Sequence, residues 1–433
     1  MEGRSMKPIK VGLLGLGTVG TGVVRIVEGH QEDLQWQTGS IIEIERILVQ
    51  DHSKERSIPV DIDKLTEDPW EVIGHPEIDV IVEVMGGVEH TKDYVLAALE
   101  KGKHIVTANK DLMALYGREI MEKASRHGCD VFYEASVAGG IPIIRTLIEG
   151  FSSDRITKIM GIVNGTTNYI LSKMSAEGAA YEDVLKEAQQ LGYAEADPTS
   201  DVEGLDAARK MTILSTLGFH AGIELFDVKV KGISEVTKED IAYSKQLGYE
   251  VKLLGIAEQQ EGYIAVSVQP TMVKKSHPLS SVNGVFNAVY VYGEAVGETM
   301  FFGPGAGEMP TATSVVADLV AVVRNHNLNI NGRRTASPYK EKKLKTDDQI
   351  VYKSFILLHV DDEAGVLSQI TQVFAKYGVS LESVLQHSNP SNPKAEIIII
   401  THDADQASLN KVLKEFENLS VIEEIKSVYR VEG

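Results

Sequence analysis

Cysteine is nearly absent: the 433-residue chain has one, Cys129. A single thiol cannot form an intramolecular disulfide, and a reducing compartment, the cytoplasm, is the expected location. Positive charge is also short. Lys and Arg number 43 against 62 Asp and Glu, for a formal net charge of −19. That balance argues against nucleic acid or an anionic membrane as the main partner. Phosphate-bearing cofactors stay admissible, because local backbone amides and a few cations hold them. No apolar run reaches the roughly 18 residues that span a bilayer, and no secretory leader is expected ahead of Lys7. Met1–Ser5 (MEGRS), ahead of Met6, reads as an added remnant and is set aside. The rest is ordinary for a soluble globular protein, 43% hydrophobic and 24% charged. It is too long for one typical core, so two or three domains are expected.

The first organised stretch is apolar, Ile9 to Leu14. It leads into Gly15-Leu-Gly-Thr-Val-Gly20 and a helical pattern from Thr21 to Glu28. Strand, glycine turn and helix in that order are what a dinucleotide-binding turn requires. Gly15 permits the tight turn, Gly17 lets backbone approach a pyrophosphate, and Gly20 lets helix and strand pack closely. The helix N-terminus then faces the phosphates. The glycine pattern alone also occurs in plain tight turns; the flanking strand and helix favour the nucleotide. Ile41 to Val49 reads as a second strand. Beyond Gln50, Asp51 suits a ribose hydroxyl, as NAD requires, whereas Lys54 and Arg56 suit the 2′-phosphate of NADP. Both cofactors stay open.

Asp79 to Met85 reads as a third strand, followed by Gly86-Gly87 and a helix from about Glu89. Lys103 to Thr107 is a fourth, ending in Ala108-Asn109-Lys110. Asp130 to Glu134 is a fifth, ending in Ala135-Ser-Val-Ala-Gly-Gly140. Strands alternating with helices imply a parallel sheet with right-handed crossovers. Ligands bind beyond the C-terminal ends of such strands. Gly15, Met85, Lys110 and Glu134 should therefore line one crevice, although Lys110 reads equally well as a surface lysine at a helix start. Cys129 lies at the other end of the fifth strand and reads as a small buried residue. Aldehyde oxidation through a thioester needs its cysteine in the crevice.

From Ile156 the pattern changes. Ile156 to Val163 is strand-like, and Asn164-Gly-Thr-Thr-Asn168 suits a helix cap. A helical stretch, Tyr181 to Leu191, leads into Leu191–Lys210, which holds five carboxylates: Glu195, Asp197, Asp201, Glu203 and Asp206. Asp197-Pro198 reads as a turn. Asp201 is the expected cap of a helix from about Val202 to Leu217. On that helix Asp206 and Lys210 share a face, continued by Ile213 and Leu217. Such pairs are commonly solvated and contribute only about 0–1 kcal/mol. Here the pair heads an apolar stripe behind a dense acidic loop, which suits a cleft that holds an ammonium group and delivers a proton. Leu253–Ala257, Tyr263–Gln269 and Val285–Tyr292 alternate like strands of a second sheet. Phe302-Gly-Pro-Gly-Ala-Gly307 is a second glycine turn, reaching the nicotinamide side of a cofactor or merely returning the chain. The helix after it, about Thr311 to Arg324, is expected to close back on the first domain.

Asn325 to Asp348, polar and basic in its later half, is the best linker in the chain. After it come a strand (Lys353–Val360), a helix (Gly365–Tyr377), strands near Val379–Gln386 and Ala395–Thr401, a helix (Asp405–Glu417) and a strand (Ile422–Val431). That βαββαβ order is ferredoxin-like.

On the segments GLGTVG, TANK, EASVAGGIP, VNGTTNYI, LGYAEADPTSDVEGLDAARK and GPGAG, residues 7–325 resemble homoserine dehydrogenase. The tail resembles an ACT domain on Val360-Asp-Asp-Glu-Ala-Gly-Val-Leu367. The resemblance implies an α/β protein in three parts. These are a Rossmann-type domain (7–150 plus about 305–325), an α+β catalytic and dimerisation domain (151–304) and, beyond a linker (326–350), a ferredoxin-like ACT domain (351–433). It implies reversible NAD(P)-dependent reduction of L-aspartate 4-semialdehyde to L-homoserine, in a homodimer or homotetramer. Lys210 is the implied proton donor, and Lys110 lies near the nicotinamide and reacting oxygen. Glu195 and Asp206 hold the substrate's amino group, with Asp201 and Gly192 nearby. Cofactor contacts fall on Gly15, Gly17, Thr18, Val19, Gly20, Asp51, Lys54, Arg56, Lys110, Gly303 and Gly305. A monovalent cation, usually sodium, falls on Glu134, Val137, Gly139 and Ile141, largely through backbone carbonyls. Many NADP-using members carry arginine where this chain has Gln50, which puts the 2′-phosphate contact in doubt. An amino acid such as threonine is expected at Asp362, Gly365 and Val366, where the helix amides can take a carboxylate; the alternative is a purely structural dimerisation module. The chemistry agrees: hydride arriving at an aldehyde carbon leaves an alkoxide that needs a proton and a nearby cation. The rival readings are a hydroxy-acid dehydrogenase with another carbonyl substrate and a non-catalytic nucleotide and amino-acid sensor.

Overall fold

Ile9–Leu14 pairs in parallel with Ile42–Leu48 on one side and Val80–Glu83 on the other. Leu65–Thr66 extends the sheet past Ile42–Leu48, and His104–Thr107 and Val131–Phe132 extend it past Val80–Glu83. The central strands are buried on both faces, which is why they read as unbroken apolar runs. Chain order reverses between Ile9–Leu14 and Val80–Glu83, the place where a doubly wound sheet opens a crevice at its strand ends.

The structure, a computed structural model, describes residues 8–333, 338–388 and 394–433. Met1–Ser5, Lys7 and residues 334–337 of the expected linker lie outside them. The chain divides into two units. The first comprises residues up to 159, 209–226 and 287–341. The second comprises 160–208, 227–286 and 342–433.

In the first unit Leu65–Thr66 and the helix Pro69–Ile73 were not anticipated, although Asp68-Pro69 is a helix-start signal: Asp68 caps the helix and Pro69 is its first residue. The expected fifth strand is corrected. The fifth strand is only Val131–Phe132, and Glu134–Ser136 forms a 3₁₀ turn. The Glu134 amide donates to Asp318 Oδ2 at 2.7 Å instead of a neighbouring strand. The helix Glu308–Leu328 closes back on this unit as expected. Its Ala312 packs so tightly on the Thr18–Gly29 helix that a Cβ at Gly22 would stand 2.8 Å from the alanine methyl. Strands Gly297–Pro304, Phe286–Gly293 and Ile156–Ile162 lie side by side in that order. Gly297–Pro304 was not anticipated; the glycines that end it read only as a turn.

In the second unit Tyr249–Gln260 and Tyr263–Lys274 form a long antiparallel hairpin. Lys252 lies within it, 2% exposed, its Nζ donating to Val282 O at 2.6 Å and Asn283 Oδ1 at 2.9 Å. Burial pushes this amine down to about 8. Between that value and its ordinary 10.5, the folded chain binds fewer protons at Lys252 than the unfolded chain does. Stability contributed by Lys252 therefore rises with pH across that window. Denaturant titrations at pH 8 and 10 should show wild type gaining on Lys252→Met, by at most about 1.4 kcal/mol per pH unit. No relative gain would mean that the amine is not desolvated.

The tail has the expected βαββαβ order, with strands arranged Ile422–Glu432, Val351–Asp361, Lys394–Thr401, Leu381–Ser388 and helices Val366–Lys376 and Gln406–Phe416. Its last strand also pairs in parallel with Tyr263–Lys274, Thr271 opposite Arg430. The buried Asp240 carboxylate completes a capping box with Thr237 and also accepts from Ser427 Oγ at 2.5 Å and Tyr429 OH at 2.9 Å. The tail is thus bonded to the helix Lys238–Gln246.

Candidate active site

The nucleotide turn is built by close packing. Gly15 has φ 105°, and a Cβ there would stand 2.8 Å from Met85 Cα. At Gly20 it would stand 2.2 Å from Gly15 O. At Gly17 it would meet nothing within 4 Å, leaving that backbone open to a ligand. The helix starts at Thr18, not Thr21, so Thr18 and Val19 belong to its first turn, where amides lack intrahelical partners. The second glycine turn stacks on Gly139-Gly140. Gly140 N donates to Pro304 O at 3.0 Å, and a Cβ on Gly139 would stand 2.6 Å from Gly305 O. Gly303 and Gly305 thereby join the fold around Glu134–Ile141.

At the ribose end, Asp51 Oδ1 accepts from Ser53 N at 2.7 Å and Ser53 Oγ at 2.6 Å. These bonds hold its carboxyl below the ordinary range. Arg56 wraps the same loop, donating to the carbonyls of Asp51, His52 and Lys54. Lys54 stays exposed.

Lys110 is the first residue of the helix Lys110–His127, capped by Asn109, whose Oδ1 accepts from Leu112 N at 3.0 Å. Lys110 Nζ lies 3.8 Å from Asp111 Oδ2, and Arg209 Nε lies 2.6 Å from Asp111 Oδ1. Asp111 therefore joins the start of this helix to the residue preceding Lys210. Neither Asp111 nor Arg209 was singled out in the sequence; adjacency to each lysine was the available signal.

The helix expected from Val202 to Leu217 is two helices, Thr199–Val202 and Leu205–Phe219. Gly204, at φ 78°, separates them. Asp201 is not a cap but lies inside the short helix. Asp197 makes the entry turn, accepting from Thr199 N at 3.1 Å and Thr199 Oγ1 at 2.6 Å. Leu205–Phe219 carries Asp206 and Lys210 one turn apart, and its stripe is buried as expected, with Ile213 5% and Leu217 7% exposed.

In the second unit Asn164 is the hub. Its Oδ1 caps the helix Gly165–Glu177 through Thr167 N. Its Nδ2 donates to Asp201 Oδ1 at 2.7 Å and Asp206 Oδ2 at 2.9 Å. The two carboxylates therefore converge on one amide, and Asp206 is buried. Sequence reasoning saw Asn164 only as a cap. Thr166 Oγ1 donates to Tyr193 O at 2.6 Å, tying the loop that holds Gly192, at φ 76°, to the same turn. Glu195 is exposed on that loop, with Gln189 Nε2 donating to its carbonyl at 3.1 Å.

Among the described residues no group of three His, Cys, Asp or Glu could hold a metal ion. The residues named for a monovalent cation offer another donor set. The Glu134 carboxylate is engaged by Ile144 N at 2.7 Å and Arg145 N at 2.8 Å. Backbone carbonyls of Glu134, Val137, Gly139 and Ile141 remain, on a chain bent through Ala138 at φ 52°. Glu134 O accepts from Val137 N at 3.5 Å, Gly139 O from Ser314 Oγ and Ile141 O from Ile143 N, but each carbonyl has a second lone pair. Backbone carbonyls of this kind can replace part of the hydration shell of a monovalent cation. Cys129 is buried, and burial pushes its thiol up to about 11, which suits an inert residue and not a nucleophile.

Family models described as homoserine dehydrogenase NAD binding domain, homoserine dehydrogenase and ACT domain match residues 15–134, 142–320 and 354–421. Homoserine dehydrogenase of Bacillus subtilis (strain 168) is 57% identical over 429 residues, 99% of each chain. The chain belongs to the homoserine dehydrogenase family. It is accordingly an oxidoreductase with a nicotinamide-cofactor domain of Rossmann type, a catalytic domain and a C-terminal ACT domain. The crystal structure of a homoserine dehydrogenase from Thiobacillus denitrificans matches with TM-score 0.93 at 41% identity, covering 99% of both chains. A hyperthermophilic archaeal homoserine dehydrogenase in complex with NADPH matches at TM-score 0.63 and 27% identity, covering 76% of this chain and 100% of that one. No helix among the described residues is long and apolar enough to cross a membrane.

Proposed function

We propose that the enzyme catalyses the reversible NAD(P)H-dependent reduction of L-aspartate 4-semialdehyde to L-homoserine, on the route to threonine, methionine and isoleucine. The observation that carries this reading is the helix Leu205–Phe219, where Lys210 follows by one turn a buried aspartate oriented by Asn164. The bound nicotinamide supplies or accepts the hydride. Lys210 gives a proton to the oxygen as aldehyde becomes alcohol, and its charge stabilises the developing alkoxide. In the reverse direction neutral Lys210 removes the hydroxyl proton. Lys110 is assigned to the reacting oxygen as a second cation. Glu195 and Asp206 hold the substrate ammonium, with Asp201 and Gly192 beside them. Sodium is assigned to the carbonyls of Glu134, Val137, Gly139 and Ile141. Gly15, Gly17, Thr18, Val19, Gly20, Asp51, Lys54, Arg56, Lys110, Gly303 and Gly305 are assigned to NADP or NAD.

The ACT domain is assigned to a feedback amino acid, threonine, at Asp362, Gly365 and Val366. Gly365, at φ 98°, opens Val366–Lys376 without a side-chain cap; Val366 N donates to Glu363 O at 3.4 Å, and the amides after it are the ones a carboxylate would take. We assign the enzyme to the cytoplasm as a homodimer or homotetramer. The test is spectrophotometric turnover of homoserine with NAD and NADP in parallel, with and without threonine. Reduced nucleotide should form with at least one cofactor, and threonine should slow it. Absence of turnover with both would refute the catalytic reading, and indifference to threonine the regulatory one.

A further inference from the structure

The Lys110 helix begins inside a closed ring of hydrogen bonds that the acid–base reading leaves unused. Glu83 ends the strand Val80–Glu83 and is 0% exposed. Its Oε1 accepts from the amides of Met85 at 2.9 Å and Gly86 at 3.1 Å. Its Oε2 accepts from the hydroxyl of Thr107 at 2.5 Å, and Thr107 is its register partner on the adjacent parallel strand. Thr107 Oγ1 in turn accepts from the Asn109 amide at 3.0 Å. Asn109 Nδ2 donates to Gly87 O at 2.7 Å, while its Oδ1 caps the helix whose first residue is Lys110. Gly86 and Gly87, at φ 74° and 72°, close the ring back to Glu83.

Burial pushes the Glu83 carboxyl above its ordinary range, and the donors from Thr107, Gly86 and Met85 pull it back. An apolar side chain would fill the same space without that desolvation cost. The carboxylate therefore stands there for what its oxygens hold: the loop after one crevice-forming strand and the turn after the next.

We propose that Glu83 is a positioning residue which, through Thr107 and Asn109, fixes the first turn of the Lys110 helix and so sets where Lys110 presents its amine. This rests on the reading of Lys110 as a group at the reacting oxygen. The Asp111–Arg209 contact carries the same constraint to the residue before Lys210.

The test uses the full-length enzyme with Glu83→Ala, Glu83→Gln, Thr107→Val and Lys110→Ala, and each of the first and third combined with Lys110→Ala. Glu83→Ala should lower kcat by about 10- to 100-fold, the cost of a small misplacement of a reacting group. NADPH affinity, read by cofactor fluorescence, should change by less than about threefold. Glu83→Gln still offers an oxygen to Met85 N and Gly86 N and should recover at least about a third of turnover. Thr107→Val, which removes one hydroxyl, keeps the test valid if Glu83→Ala does not fold; it should lower kcat without changing NADPH affinity. Combined with Lys110→Ala, neither change should cost more than Lys110→Ala alone. Additive losses, or weakened NADPH binding at unchanged kcat, would overturn the positioning role and leave the reading of Lys110 intact. Unaltered kcat in Lys110→Ala itself would overturn both, and that single variant tells the two failures apart.

Discussion

Lys210→Ala should lower kcat for homoserine oxidation by roughly 10²- to 10⁴-fold, the usual worth of a positioned acid–base group. The dissociation constant for the nicotinamide nucleotide should hold within about threefold, since Lys210 is assigned to the reacting oxygen and not to the dinucleotide. The helix should survive the change. Ala208, Met211 and Leu214 are each 0% exposed and anchor it, and alanine has the highest helix propensity. A loss confined to turnover therefore reports chemistry and not folding. A kcat within about tenfold of wild type, roughly 1.4 kcal/mol, would remove Lys210 from its role.

Asp206→Asn is the second large effect. Asp206 is 6% exposed and accepts from Asn164 Nδ2 at 2.9 Å. Asparagine keeps the volume and one acceptor but loses the charge that an ammonium group needs. The loss should fall on kcat/KM for homoserine by about 10- to 150-fold, equivalent to the roughly 1.5–3 kcal/mol of a hydrogen bond to a charged group. The control is 4-hydroxybutyrate, which lacks the amino group. Wild type and variant should use it about equally poorly. An equal loss on both substrates would make Asp206 a support for Asn164, with no part in binding the ammonium.

Much of this was legible in the residues because it rests on short-range rules. The central sheet strands are buried on both faces, so they appear as apolar runs ending in Gly15, Glu83 and Thr107. Glycines stand where a Cβ would collide, as at Gly20 against Gly15 O. The stripe Asp206, Lys210, Ile213, Leu217 gave the helix face by spacing alone. What was hidden depends on partners distant in sequence. Asp201 looked like a cap because an acidic residue before an apolar run is a cap signal; Gly204 instead breaks the helix and Asp197 makes the turn. Glu134 looked like a strand end until Asp318, 184 residues away, took its amide. Asn164 receives its importance from Asp201 and Asp206, about forty residues on, and the local pattern marks it only as a cap. The linker reading of Asn325–Asp348 missed that the tail's final strand pairs with Tyr263–Lys274, since register between remote strands leaves no local trace. Glu83 was visible in principle, as one acid closing the run Val80-Ile-Val-Glu83.

The central claim is that an amine on Leu205–Phe219 takes the hydroxyl proton while hydride leaves homoserine. The most direct measurement is kcat for homoserine oxidation from neutral to alkaline pH, with deuterium at the carbinol carbon confirming that hydride transfer limits the rate. An amine can take the hydroxyl proton only in its unprotonated form, whose share grows as pH rises. The rate should therefore climb as pH rises in the wild-type enzyme, and the climb should vanish in Lys210→Ala. A flat wild-type profile with the full isotope effect present would contradict the assignment of lysine as the base.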